Sequence, residues 1–177
     1  MNSLFIATSL DGYIADRDGG LGWLSEGAAP DEGDFGYAAF MEGIDALVMG
    51  RTTFDTVRGF DIPWPYTRPV FVLSRSLDTL PAEFSGKAEL LSGTPSEITR
   101  TLAERGHRNL YIDGGRVVQE FLAADAIDRL ILTRIPVLLG GGTPLFGLLD
   151  APLRFTHTGT QSLARGLVQS TYVRSRS

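Results

Sequence analysis

The chain has 177 residues, 43% of them hydrophobic and 21% charged, with a net charge of −5 and no cysteine. That length suits one domain with a sizeable core, and the composition is that of an ordinary globular protein. The negative balance argues against general nucleic-acid or anionic-membrane binding, and the lack of cysteine excludes disulfides, thiolate metal sites and a cysteine nucleophile.

Residues 3–9 read as an apolar first strand and not as a signal peptide, and no apolar run approaches the roughly 20 residues of a membrane span. A cytoplasmic protein is expected. A Gly- and Asp-rich loop runs to about residue 30. Asp31 to Gly43 then reads as a helix that places Phe35, Ala38, Ala39 and Phe40 on roughly one face. Ala46-Leu47-Val48-Met49 and the run from Pro69 to Leu73 are near-continuous apolar segments, the pattern of parallel strands buried on both sides.

Thr94-Pro95-Ser96-Glu97 is a capping box with proline at the first helical position, and Gly106 marks the stop. A strand over 109–113, a helix from about 115 to 124 and a strand over 128–133 follow. After Gly140-Gly141-Gly142 two strands, 153–161 and 166–174, are joined near Ala164-Arg165-Gly166 with no helix between them. The expected fold is α/β, a mostly parallel mixed sheet flanked by helices with an antiparallel C-terminal hairpin, in a single domain over residues 1–177.

Three strand ends carry the chemistry. Val48-Met49-Gly50-Arg51-Thr52-Thr53-Phe54 passes from a buried strand through glycine and arginine into a helix start, where unpaired N–H groups attract anions. Val72-Leu73-Ser74-Arg75-Ser76 and Ile112-Asp113-Gly114-Gly115-Arg116 repeat the signal. A glycine after one strand is ordinary turn chemistry. Three such turns at strand C-termini, where α/β sheets bind ligands, point to one multiply phosphorylated ligand, most simply a dinucleotide. The G-x-G-x-x-G and G-x-x-x-x-G-K-[ST] fingerprints are absent, which disfavours a standard Rossmann or P-loop site. Ser74 and Arg75 place a hydroxyl and a guanidinium where an NAD site prefers an acid, so the 2′-phosphate of NADP is the better match.

These segments, with Leu132-Thr133-Arg134-Ile135, resemble the dihydrofolate reductase superfamily. Ser9-Leu10-Asp11-Gly12-Tyr13-Ile14-Ala15 and the run from Pro136 to Phe146 resemble its branch containing the reductase domain of the riboflavin-biosynthesis deaminase–reductase. The resemblance implies a dihydrofolate reductase-like fold and an NADPH-dependent reductase passing hydride to a C=N or carbonyl centre of a pyrimidine or pteridine. It implies that Gly50, Arg51, Thr52 and Thr53 hold cofactor phosphates, and that Leu73, Ser74, Arg75 and Ser76 surround the 2′-phosphate. Gly114, Gly115, Arg116 and Val117 match the diphosphate-binding helix start, and Ala7 the strand position beside the nicotinamide.

On the substrate side, Asp34 falls where dihydrofolate reductases carry their pterin-binding carboxylate, and Thr133 on the threonine that hydrogen-bonds to it. A buried Asp34 would have a raised pKa and could orient an N–C–NH₂ edge. The other reading makes it an exposed residue near a helix start, favoured by the dipole. Trp23 either covers the nicotinamide or substrate ring or caps the core. Asp11 is read first as a turn residue. Arg58, Arg68, Arg134 and Arg154 are candidates for a substrate phosphate. His107 and His157 are isolated and imply no metal site. An aminopyrimidine of the phosphoribosylaminouracil type ranks above dihydrofolate, because the Ser-Leu-Asp-Gly and Leu-Leu-Gly-Gly-Gly motifs belong to the riboflavin-type branch. A reading of another class is a non-catalytic NADP(H)-binding sensor or scaffold. The resemblance also implies a homodimer.

Overall fold

In the computed structural model, which describes residues 1–26 and 33–176, β1 (Asn2–Thr8) runs through the middle of an eight-stranded sheet. A short strand β2 (Tyr13–Ala15) and two short helices, α1 (Gly22–Glu26) and α2 (Tyr37–Glu42), follow it. The chain continues through β3 (Ala46–Gly50), α3 (Arg51–Arg58), β4 (Val70–Leu73) and β5 (Ala88–Leu91). Next come α4 (Pro95–Glu104), β6 (Leu110–Asp113), α5 (Gly115–Ala123) and β7 (Arg129–Arg134). The two-residue β8 (Thr143–Pro144) precedes the long hairpin of β9 (Phe155–Ser162) and β10 (Val168–Arg174).

The sheet order is β5-β4-β3-β6-β1-β7-β10-β9. The first six strands are parallel, β10 is antiparallel to β7, and β9 is antiparallel to β10. The topology follows from where the chain reverses its march. From β3 it moves outward to β5, then α4 brings it back to lay β6 between β3 and β1. Such a reversal leaves a crevice at the strand C-termini, because the helices on either side of it diverge.

Alternation along the strands divides the core into two layers. Leu47, Met49, Val70, Val72 and Tyr111 face Phe40 of α2 and Phe54 of α3. Ala46, Val48, Phe71 and Ile112 face Ile98 and Leu102 of α4 and Val118 and Phe121 of α5. β3 and β4 are therefore apolar at every position, as their sequences read. The Thr94 hydroxyl accepts from the Glu97 N–H, while Glu97 Oε2 accepts from the Thr94 N–H at 2.8 Å, so the capping box that starts α4 is complete.

Two expectations are corrected. The helix expected over Asp31–Gly43 is only Tyr37–Glu42, while Asp31 and Glu32 lie outside the described residues. Phe35 (φ 54°) and Gly36 (φ 85°) are both left-handed, which breaks any right-handed helix before Tyr37. Ala38 and Ala39 are consequently exposed, and Tyr37 and Phe40 pack on the sheet instead. The other correction is β5, unmarked in the sequence because Ala88-Glu89-Leu90-Leu91 sits at a half-exposed edge and alternates weakly. Among the described residues no helix is long and apolar enough to cross a membrane.

Candidate functional site

Parallel register brings the ends of β3, β4 and β6 to one rim, with Gly50 beside Leu73 and Met49 beside Asp113. There a cleft of about 300 Å³ is lined by Arg51, Thr52, Leu73, Ser74, Arg75, Ser76, Arg116 and Val117, all expected from the sequence. Leu91, Ser92, Gly93 and Glu120 complete its wall and were not expected. They come from the unmarked β5, the two residues after it and the second turn of α5. Neither α3 nor α5 has a side-chain cap, since their N-cap residues are Gly50 and Gly114. Among the described residues their first N–H groups therefore lack an intrahelical or side-chain acceptor, which is the condition for holding an anion.

The remaining expected glycine and threonine positions stand one step behind this wall and press turn against turn. A methyl group on Gly114 (φ 86°) would lie 2.2 Å from Thr53 Oγ1, and one on Gly50 would lie 3.2 Å from Val117. A methyl on Gly115 would meet Ile14 and Thr143, each at 3.0 Å. The three guanidinium groups differ. Arg51 is bonded to Asp55 at 3.2 Å and Arg116 to Glu120 at 3.3 Å. Arg75 is exposed and has no ion-pair partner among the described residues. The Ser74 hydroxyl accepts from the N–H groups of Ser76 and Leu77 and so shapes the loop that presents Arg75.

The two distant motifs around Gly12 and Gly141 fold onto one another. β2 pairs with β8, Leu10 N–H donates to Val137 O, and Leu145 N–H to Gly12 O. The Asp11 carboxylate accepts from Ser9 Oγ at 2.6 Å, Gly140 N–H at 2.7 Å and Leu139 N–H at 3.2 Å. The Ser9 bond first, and those N–H groups next, hold its pKa below the ordinary value. Asp11 is thus a clasp between two loops. Gly142 must be glycine, because a methyl there would overlap Ala15 O at 2.1 Å.

The expected substrate frame is brought together only in part. Ala7 pairs with Thr133 in register and packs with Trp23, Phe35, Ile135 and Leu167. Trp23 is buried in that cluster, and its indole N–H has no partner among the described residues. Asp34 is exposed, the second of its two readings and not the buried one. Its Oδ2 accepts from Ala38 N–H at 2.6 Å and its Oδ1 from Gly36 N–H at 3.0 Å, anchoring the start of α2. The Ala38 bond first, then Gly36, lowers its pKa, the opposite of the rise that the buried reading carried. Thr133 is buried, and its Oγ1 accepts from Gln169 Nε2 at 3.0 Å, the same amide nitrogen that reaches Phe35 O at 3.1 Å. Gln169 on β10 therefore occupies the bonding role expected of Asp34 toward Thr133. No sequence signal marks it beyond a polar residue at an inward-facing strand position.

Asp113, the last residue of β6, lies on the α2–α3 side of the sheet and was not singled out by its sequence. Part of its surface is exposed, yet protein crowds its carboxyl group. Desolvation pushes its pKa up to about 6, against the lowering effect of the Gly114 N–H at 2.8 Å and of Tyr111. Tyr37, Tyr66 and Tyr111 all feel its charge, and burial first, then Asp113, raises each hydroxyl pKa, that of Tyr37 to about 12. The rings form two groups, one with Phe5–Phe40 at 5.1 Å, Phe40–Tyr111 at 5.1 Å and Tyr37–Tyr111 at 6.4 Å, the other with Trp64–Tyr66 at 5.1 Å between centroids. Of the candidate substrate arginines, Arg58 is paired with Asp55, and Arg154 lies with Arg174 at the opposite end of the hairpin. Arg134, at the C-terminal end of β7, is therefore not a neighbour of Arg154.

The RibD C-terminal domain profile matches residues 3–169. The chain belongs to the RibD C-terminal domain family. YwjB, an uncharacterized protein of Bacillus subtilis, is 36% identical over 174 residues, covering 97% of both chains. A crystal structure from Shewanella sp. PV-4, named for riboflavin biosynthesis, superposes with a TM-score of 0.96 at 47% identity over 99% of each chain. Dihydrofolate reductase from Enterococcus faecalis, complexed with NADP(H), gives a TM-score of 0.67 at 21% identity over 99% of this chain and 97% of that one. The last likeness shows the shared dihydrofolate reductase-like fold.

Proposed function

We propose that this RibD-type domain is an NADPH-dependent reductase of a pyrimidine- or pteridine-like substrate, of the 5-amino-6-(5-phosphoribosylamino)uracil reductase type. The observation that carries the reading is the convergence of four strand-end turns on one cleft bearing Arg51, Arg75 and Arg116. The residues fit the cofactor. Two helix N-termini without side-chain caps, with Thr52 between them and Arg116 at the rim, suit a diphosphate. The unpaired Arg75 guanidinium with Ser74 and Ser76 suits a 2′-phosphate. Leu73, Leu91 and Val117 supply apolar surface for an adenosine moiety.

When bound, NADPH supplies the hydride, so the chain itself needs no nucleophile. Its task is to bind, orient and handle a proton. Dihydrofolate ranks below the aminopyrimidine because the Asp34 carboxylate is engaged by the start of α2. The test is to follow absorbance at 340 nm with NADPH and either 5-amino-6-(5-phosphoribosylamino)uracil or dihydrofolate. Oxidation dependent on the aminopyrimidine supports the proposal. Tight NADPH binding without oxidation by either compound would favour the sensor or scaffold reading. The homodimer belongs to the same proposal and is checked by light scattering.

A further inference from the structure

We propose that Asp11 is a positioning residue: its clasp sets the strands carrying Ala7 and Thr133 against the start of α5, where the cofactor diphosphate is proposed to lie. This inference rests on the reductase reading above and deepens it by joining the two halves of the site.

One end of the clasp is the central strand pair. β1 and β7 run in register past Ala7 and Thr133. Beyond them Ile135 N–H donates to Thr8 O and Leu10 N–H to Val137 O, both at 2.8 Å. Ser9, fully buried at this point, donates its hydroxyl to Asp11 and accepts from Tyr13 N–H at 2.9 Å. The other end is α5. Ile14 of β2 and Thr143 of β8 stand so close to Gly115 that a methyl there would meet both at 3.0 Å. Pro144 O accepts from Gln119 Nε2 at 2.8 Å. Leu145, fully buried, shares a hydrophobic cluster with Val117, Val118 and Phe121. α5 therefore rests sideways on the β2–β8 ribbon, and none of residues 9–15 or 137–145 lines the cleft that its first turns border.

The ribbon cannot hold this arrangement by itself. β2 and β8 share only two residue pairs, and an isolated two-stranded ribbon is marginal at best in water. The run before β8 is three glycines, at φ 66°, 155° and 132°, and glycine loses more backbone freedom on ordering than any other residue. Asp11 supplies what orders them. Its carboxylate takes the N–H groups of Leu139 and Gly140, while Arg17 Nη2 holds Gly140 O at 2.8 Å. Hydrogen bonds to an ionised carboxylate are roughly twice as strong as neutral ones. With the carboxylate gone, the ribbon loosens and the start of α5 loses its lateral support. The Arg75 loop follows β4 and is shaped by the Ser74 hydroxyl, so it keeps its place.

The test is titration calorimetry of NADPH and of adenosine 2′-monophosphate into wild type, Asp11→Asn, Ser9→Ala and, as a stability control, Thr94→Ala. Adenosine 2′-monophosphate carries the groups proposed for the Arg75 end and lacks the diphosphate. Asp11→Asn should weaken NADPH about fivefold or more and the monophosphate less than about twofold. Ser9→Ala removes the 2.6 Å bond to the carboxylate and should shift NADPH the same way by a smaller factor, so it reads the same split if Asp11→Asn does not fold. Thr94→Ala should leave both affinities as in wild type, which separates positioning from a general loss of stability. Unchanged NADPH affinity in both clasp variants, equal losses for the two probes, or no NADPH binding by wild type would overturn the proposal. The expected split, with no NADPH oxidation by wild type on any pyrimidine or pteridine, would uphold the clasp and refute the reductase reading alone.

Discussion

Replacing Arg75 by alanine isolates the group on which cofactor choice is proposed to depend. Arg51 and Arg116 each have an acidic partner within their own helix, whereas Arg75 has none among the described residues. Removing it therefore strands no carboxylate, and the measured loss is close to the value of the phosphate contact itself. A charge-assisted hydrogen bond contributes about 1.5–3 kcal/mol, and the exposure of Arg75 favours the lower end of that range. At about 1.4 kcal/mol per decade, NADPH affinity should fall roughly ten- to thirtyfold. NADH lacks the 2′-phosphate and should lose less than about twofold. Fluorescence titration of both cofactors measures the ratio. Raising the salt from 0.1 M to 1 M shortens the screening length from about 10 Å to about 3 Å and should narrow the gap between wild type and variant. Arg75→Lys, which keeps charge but loses the planar fork, should fall between the two. Equal losses for NADPH and NADH, or an undiminished gap in high salt, would refute the reasoning.

Gly114→Ala forces a side chain into φ 86° and within 2.2 Å of Thr53 Oγ1. Backbone strain and overlap together should cost roughly 2–5 kcal/mol in denaturant unfolding, and Thr53→Ala in the same chain should recover only the steric part. Thr94→Ala removes the hydroxyl half of the α4 capping box and should lower stability by about 1 kcal/mol, or Tm by roughly 2–4 °C on a thermal melt. Asp34→Ala should lower Tm slightly and leave NADPH affinity intact. Because its folded pKa is depressed, the contribution of Asp34 is present above the ordinary value of 3.8 and is lost as pH falls through the lower folded value. Wild-type and Asp34→Ala melts should therefore converge in acid, and a gap that persists there would show a role other than the helix anchor.

What the sequence determined by itself is local: the central strands with their apolar runs, α4 with its cap, and the turns whose glycine and arginine follow a buried strand. Parallel order then carried three separately weak signals to one rim, so most residues lining the cleft were named before the fold was known. The two readings of Asp34 stayed open in the sequence, because the choice turned on two consecutive left-handed residues, Phe35 and Gly36, that delay α2 until Tyr37. Thr133 was placed correctly on its strand, yet its partner is Gln169, brought over by the antiparallel pairing of β10 with β7. Asp113 reads in sequence as an ordinary turn residue. Its raised pKa arises from desolvation by the protein packed around it, which displaces water only once folded, against the lowering effect of the Gly114 N–H and of Tyr111. Backbone preference acts between neighbours and can be read from them, whereas desolvation depends on everything that surrounds a group and exists only in the folded molecule.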